Sequence, residues 1–306
     1  MKKIKKILAG ALVAMVSLTT LAGCGSASTS TTSNGKKIGI VLSTLNNPFF
    51  VNMKEGALAE AEKLGYNLVV LDSQDDPAKE RSNVEDLVQM GVSAVLINPT
   101  DSDAVTEAIQ VANNNDIPVI TLDRQSNGGE IASHIASDNI KGGEMAAEYA
   151  LELLGSDANI NVVELQGLPG ASATRDRGQG FHNIFDKMSN VNFVSSQSAD
   201  FDRQKGLEVM ENIIQGNKDI QVIFAHNDEM ALGAAKATSA SNLDAIIIGF
   251  DGIEDGLEAV KKGEIKATVA QQPDVIGALG VELADKLNNG ETIEKEYAAE
   301  LKIVSE

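Results

Sequence analysis

The chain has 306 residues, with 25 Lys and Arg against 44 Asp and Glu, a formal net charge of -19, no Trp and one cysteine. So acidic a surface repels phosphate backbones and excludes nucleic acid as a natural partner, and the lone Cys24 excludes an intrachain disulfide. Roughly 270 residues remain for folding once a leader is set aside, which fits two domains better than one.

Four lysines (Lys2, Lys3, Lys5, Lys6) precede an apolar run from Ile7 to about Leu21, and small residues follow. This is the pattern of a secretory signal, here residues 1–23, and the run is too short and too one-sided in charge for a membrane span. Leu21-Ala22-Gly23-Cys24 resembles the bacterial lipobox, which implies cleavage before Cys24 and attachment of diacylglycerol to its sulfur. Residues 24–36 are then a lipidated Cys and a Ser/Thr/Gly tether that cannot fill a core; extended, it reaches about 40 Å. Loss of the four leader lysines takes the net charge from -19 to about -23, so membrane attachment rests on the lipid alone.

Strands and helices alternate from there. Ile38–Leu42 is a short apolar run, followed by an amphipathic segment from Pro48 to Leu64 closed by Gly65. Strand Asn67–Leu71, helix Pro77–Met90 closed by Gly91, strand Ala94–Ile97, helix Ser102–Asn113 and strand Pro118–Leu122 come next. Pro at a helix start and Gly just past its end is the expected asymmetry. A second series runs helix Asn139–Leu154, strand Ile160–Leu165, helix Ala173–Lys187, strand Val191–Ser195, helix Arg203–Gly216, strand Val222–Ala225, helix Asp228–Ser239 and strand Ala245–Gly249. It ends with helix Ile253–Lys262, strand Ala267–Ala270, helix Asp274–Asn289 and strand Leu301–Val304. Apolar strands alternating with amphipathic helices predict an α/β fold of two Rossmann-like lobes with parallel sheets. Ligands of such sheets sit beyond the carboxyl ends of the strands.

Those ends carry a repeated set of residues. Ser43, Asn47, Phe49 and Phe50 follow the first strand, and Asp123-Arg124 follows the fourth. In the second half stand Arg177, Phe201, Asn227, Asp251 and Gln271. A sugar hydroxyl both donates and accepts, so carboxylates, guanidinium groups and amides can each bind a pair of hydroxyls, while the apolar C–H faces of the ring pack on aromatic plates. Each residue also has a plainer role: Asn47 and Asn227 as helix caps, Asp123-Arg124 as a loop ion pair, Phe49 and Phe50 as core, Asp251-Gly252 as a turn. Their coincidence on one edge of each sheet favours a site.

Beside these residues stand the segments LSTLNNPFF (42–50), NLVVLDSQ (67–74), INPTDSDAV (97–105), IPVITLDRQ (117–125), SHIASDN (133–139), ADFDR (199–203), NDEMALGA (227–234) and GFDG (249–252). Together, from about Lys37 onward, they closely resemble the ribose-binding members of the ribose/galactose-type periplasmic sugar-binding family. The resemblance implies a type I periplasmic-binding-protein fold with a three-segment hinge near Ser137-Asp138, Gln271-Gln272 and Glu300-Leu301. The first lobe would comprise residues 37–137 with 272–300, and the second 138–271 with 301–306. It further implies that Asn47, Asp123, Arg124, Arg177, Asn227, Asp251 and Gln271 hydrogen-bond the sugar, that Phe50 and Phe201 sandwich it, and that Phe49 and Ser43 lie close by. The implied partners are ribose and the permease subunits of an ABC importer, for a monomer exported and lipid-anchored at the outer face of the cell membrane. Allose, xylose and a furanose-like signalling molecule stay open as ligands, and a chemotaxis receptor as a second partner. His226 and the loop Gly167-Leu168-Pro169-Gly170 depart from the family pattern beside the pocket.

No catalytic arrangement accompanies this set. Gly178-Gln179-Gly180 lacks the third Gly of a dinucleotide fingerprint and follows no strand. No phosphate-binding loop or Gly-x-Ser-x-Gly elbow occurs, and Asp72–Asp76 lacks the mid-loop Gly of a calcium hand. His134, His182 and His226 are scattered. No cofactor, metal or enzyme activity is expected, and a sugar-responsive repressor would need a basic helix-turn-helix where the leader stands.

Overall fold

The computed structural model describes residues 36–305; the signal, Cys24 and most of the tether lie outside the described residues. In chain order the elements are β1 (Lys37–Leu42), α1 (Pro48–Leu64), β2 (Asn67–Asp72), α2 (Pro77–Gln89), β3 (Val95–Ile97), α3 (Val105–Asn113), β4 (Val119–Leu122) and β5 (Ser133–Ser137). There follow α4 (Asn139–Leu154), β6 (Ile160–Gln166), α5 (Ser172–Phe185), β7 (Val191–Ser198), α6 (Arg203–Gly216), β8 (Val222–Ala225) and α7 (Asp228–Ser241). The last are β9 (Ile246–Asp251), α8 (Glu254–Lys261), β10 (Ala267–Ala270), α9 (Pro273–Asn288), β11 (Glu296–Ala299) and β12 (Lys302–Ser305).

The strands form two six-stranded sheets, ordered β11-β5-β4-β3-β1-β2 and β12-β10-β9-β8-β6-β7. The two orders are the same doubly wound pattern, with a switch point between β1 and β3 in one sheet and between β6 and β8 in the other. All pairings are parallel except that of β12 with β10. Helices cover both faces, so the central strands are buried throughout: β3, β4 and β8 expose no residue. The chain passes between the sheets three times, between Ser137 and Asn139, between Ala270 and Pro273, and between Ala299 and Lys302.

Two strands lie where the periodicity shows none. Ser133–Ser137 reads Ser-His-Ile-Ala-Ser and β11 reads Glu-Tyr-Ala-Ala. Neither has an apolar run: β5 buries polar side chains, with Thr121 Oγ1 meeting His134 Nδ1 at 2.9 Å and Ser133 Oγ donating to the Lys295 carbonyl, and β11 is an edge strand with half its residues exposed. The strand at Val191 also runs on to Ser198, and the helix near Ser102 starts only at Val105.

Helix pairs approach closely through glycine. A Cβ on Gly143 of α4 would lie 2.1 Å from the carbonyl oxygen of Arg177, and one on Gly180 of α5 would lie 1.9 Å from that of Ile140. This crossing seats α5, and with it Arg177, against α4. Elsewhere the turn after β9 is strapped by a buried carboxylate: Asp228 accepts from the Ile253 N–H at 2.9 Å and from Thr268 Oγ1 at 2.6 Å. Burial pushes its pKa up to about 7 against those hydrogen bonds.

Gly143→Ala should therefore overpack the α4–α5 crossing and lower the unfolding free energy by about 1–3 kcal/mol, read by urea denaturation. The titration of Asp228 gives a second outcome. An aspartate in the unfolded chain ionises near pH 4 whereas the folded protein keeps the proton to about pH 7, so this group's contribution favours folding below that window and is lost as pH rises through it. Asp228→Asn should flatten the stability decline between those pH values in urea titrations; an unchanged slope would contradict the assignment.

Candidate functional site

The carboxyl ends of the two sheets face each other, and a small pocket lies between them, about 220 Å³ of empty space counting its opening to solvent. It is lined by Asn47, Phe49, Phe50, Asp123 and Arg124 from the first lobe and by Ala173, Arg177, Phe201, Asn227 and Asp251 from the second. Nine of the eleven residues singled out from sequence thus meet around one space. Ser43 and Gln271 stand one step behind it: Ser43 donates from both its N–H and Oγ to Asn98 Oδ1, and Gln271 Nε2 donates to Asp251 Oδ1 at 2.9 Å. A second recess, which shares Asn47, Phe50, Arg124 and Phe201, opens toward Thr44, Asp75, Asp200 and Glu229.

Each site residue is placed by local chain geometry. Asn47 caps α1, its Oδ1 accepting from the Phe49 N–H at 2.9 Å, so the first helical turn presents Phe49 and Phe50 to the cavity. Asn227 caps α7 in the same manner and donates from Nδ2 to the Phe201 carbonyl. Asp123, Phe201 and Asp251 all have positive φ, at 62°, 59° and 114°. For residues with side chains this is strained backbone, and such strain collects where surrounding structure holds a group in a functional position. Asp251 ends β9 with Gly252 turning behind it, so the turn and the site are one feature.

The polar groups form two pairs, one per lobe. Arg124 Nε lies 3.8 Å from Asp123 Oδ2, and Arg177 Nη1 lies 3.4 Å from Asp251 Oδ1. All four side chains are almost wholly buried. Burial raises the pKa of Asp123 against the pull of Arg124 and Arg177. It raises that of Asp251 well above the usual carboxylate range, with Arg177 opposing and Asp228 and Asp123 adding to the rise. Arg124 spans the two lobes, its guanidinium carbon 5.1 Å from the Phe50 ring centre and 5.3 Å from that of Phe201. Arg177 rests 3.8 Å from the Phe250 ring and donates to the carbonyl of His226 and to Asn139 Oδ1. Even so, Asp123 Oδ1, Arg124 Nε and Gln271 Oε1 are buried with no hydrogen-bond partner. Such groups are uncommon in native structures and call for a partner from water or a ligand.

Behind this ring stand polar residues that the sequence did not single out as functional. Asn98, at the end of β3, ties Ser43 to Asp123 Oδ2 and the Leu122 carbonyl. Glu80 accepts from the N–H and Oγ1 of Thr100, with burial pushing its pKa up to about 7. Glu164, in the middle of β6, meets His226 Nε2 at 3.0 Å and also bonds Gln166 and Ser196. An acidic residue inside the apolar run 162–165 was the available signal for Glu164. The lobes also bond directly outside the cavity: the Ser102 N–H donates to the Gly170 carbonyl, the Gln125 N–H to Ser172 Oγ at 2.8 Å, and Arg175 to Ser102 Oγ. Among the described residues no group of three or more His, Cys, Asp or Glu is arranged to hold a metal ion.

Comparison with known proteins gives the family. Residues 38–292 match the model of the periplasmic binding protein domain. The chain is 54% identical over 268 residues to the ribose import binding protein RbsB of Salmonella typhimurium, covering 87% of this chain and 90% of that protein. It is 53% identical over 266 residues to RbsB of Bacillus subtilis, covering 87% and 86%. Among solved structures, a solute-binding protein of an ABC transporter from Bacillus halodurans with bound myo-inositol superposes with a TM-score of 0.84 at 29% identity, covering 89% of this chain and 95% of that one. This chain is a member of the periplasmic binding protein family.

Proposed function

We propose that the chain binds D-ribose between its lobes and delivers it to an ABC sugar importer. The observation that carries this reading is the unpartnered buried set, Asp123 Oδ1 and Arg124 Nε, at a small cavity whose walls include a phenyl ring from each lobe. A sugar hydroxyl supplies both a donor and an acceptor to such a pair, and its C–H faces fit between Phe50 and Phe201. Identity above half to proteins named for ribose import supports ribose over other sugars.

In this reading the ligand favours the closed form because it touches both lobes. The hinge lies at the three chain crossings, Ser137-Asp138, Gln271-Gln272 and Glu300-Leu301, with lobes of residues 37–137 plus 272–300 and 138–271 plus 301–306. Asn47, Asp123, Arg124, Arg177, Asn227 and Asp251 hold the hydroxyls, Phe49 packs beside the ring, and Ser43 and Gln271 brace the carboxylates. Closure brings the outer surfaces of the two lobes to the spacing that the permease subunits read. The leader and Cys24 place the monomer outside the cell membrane on a lipid anchor, and the acidic surface keeps it from adsorbing to anionic headgroups.

Isothermal titration should show ribose binding at one site per chain, in preference to allose and xylose. Absence of heat and of thermal stabilisation with any of the three would overturn the reading, and tighter allose or xylose binding would reassign the ligand. Arg124→Ala should leave the buried Asp123 carboxylate without its cation and a sugar hydroxyl without a partner, weakening ribose binding by about 2–4 kcal/mol while circular dichroism shows the fold retained. Near-normal affinity in that variant would remove Arg124 from the site.

A further inference from the structure

The Phe201 ring is backed by a residue with no side chain. A Cβ placed on Gly167 would lie 2.0 Å from Phe201 Cζ and 2.3 and 2.4 Å from its two Cε atoms, far inside any tolerated contact. Gly167 has no positive φ, and the three nearest atoms that a Cβ there would meet all belong to this ring.

The main chain on both sides of this contact is held in place. The main chain of Phe201 is held in a left-handed conformation, its carbonyl accepts from Asn227 Nδ2, and the next residue, Asp202, caps α6. Gly167 is itself tied to the same loop, since its carbonyl accepts from Ser198 Oγ at 2.8 Å. With both backbones fixed, a side chain at position 167 can be relieved only by swinging the ring tip by more than an ångström. Phe201 lines the cavity, with both guanidinium groups within 6 Å of its ring, so that is where the tip has room to go.

From this we infer that Gly167 is a specificity-determining residue: by leaving room behind Phe201 it sets the width of the binding cavity and hence the size of sugar that fits. This rests on the cavity being the sugar site. Gly167 itself does not line the cavity, and its influence passes through the ring.

The test is a double-mutant cycle read by titration with ribose and with erythrose, which is smaller by one CH(OH) group. Gly167→Ala should weaken ribose binding about five- to 150-fold, as an overpacked contact of 1–3 kcal/mol converts, and should shift the ribose-to-erythrose affinity ratio toward erythrose. In a Phe201→Ala background the same substitution should change ribose affinity less than about twofold, because the ring that carries the effect is gone and changes at contacting residues are not additive. Equal losses in both backgrounds, or no loss in either, would overturn the role of Gly167. If Gly167→Ala alone does not fold, the double variant still decides: folding and binding like Phe201→Ala upholds the ring as the only obstacle, and failure to fold refutes it. Unmodified protein that binds no ribose would instead refute the sugar site itself.

Discussion

Charge compensation inside the cleft is the constraint to which the rest of the molecule answers. Each lobe carries one carboxylate and one guanidinium group at the ends of its strands or on the helix beside them, Asp123 with Arg124 and Asp251 with Arg177. A lone buried charge would be prohibitive, and a buried pair is tolerable only when its remaining hydrogen bonds are met. Because both pairs are internally neutral, the lobes can meet without burying net charge. Because neither pair is fully satisfied, the closed form gains from a guest with hydroxyl groups. Asn98, Gln271, Asn139 and the His226 carbonyl absorb part of the deficit and fix the geometry of what is left.

The repeated sheet order explains how so many polar groups come to one place. A doubly wound sheet delivers successive strand ends to one edge, and the chain uses the arrangement twice, with β4 and β9 occupying the same rank in their sheets. Asp123 and Asp251 end those two strands, each on strained backbone. Asn47 and Asn227 each start a helix at that edge. The site is therefore the meeting of two similar half-sites, each supplying a carboxylate, a capping amide and a phenyl ring, and each incomplete alone.

Much of this was legible in the residues, and what was not has physical reasons. Apolar runs such as Ile38–Leu42 and Val222–Ala225 announce their strands because burial on both faces removes the need for alternation. Ser133–Ser137 stays hidden because it is a buried strand rich in polar side chains, and the edge strand β11 because half of it faces solvent. The choice between cap and binding residue at Asn47 and Asn227 was a false one, since the amide oxygen caps the helix while the residue still lines the cavity. Asn98, Glu80 and Asp228 could not be singled out, because their significance comes from partners distant in sequence. Ser43 illustrates the converse, correctly located at a strand end yet turned to brace Asn98.

The three passages of chain between the sheets have a consequence for biogenesis. Helix α9 and strand β11, drawn from residues 273–299, complete the first lobe, where Tyr66 bonds Asp285 across 219 positions of sequence. During synthesis the first lobe therefore has an uncovered α1 face and an unpaired strand edge until residues 273–299 have emerged. A domain with such distant closure condenses late, leaving a long interval in which the nascent chain is still threadable.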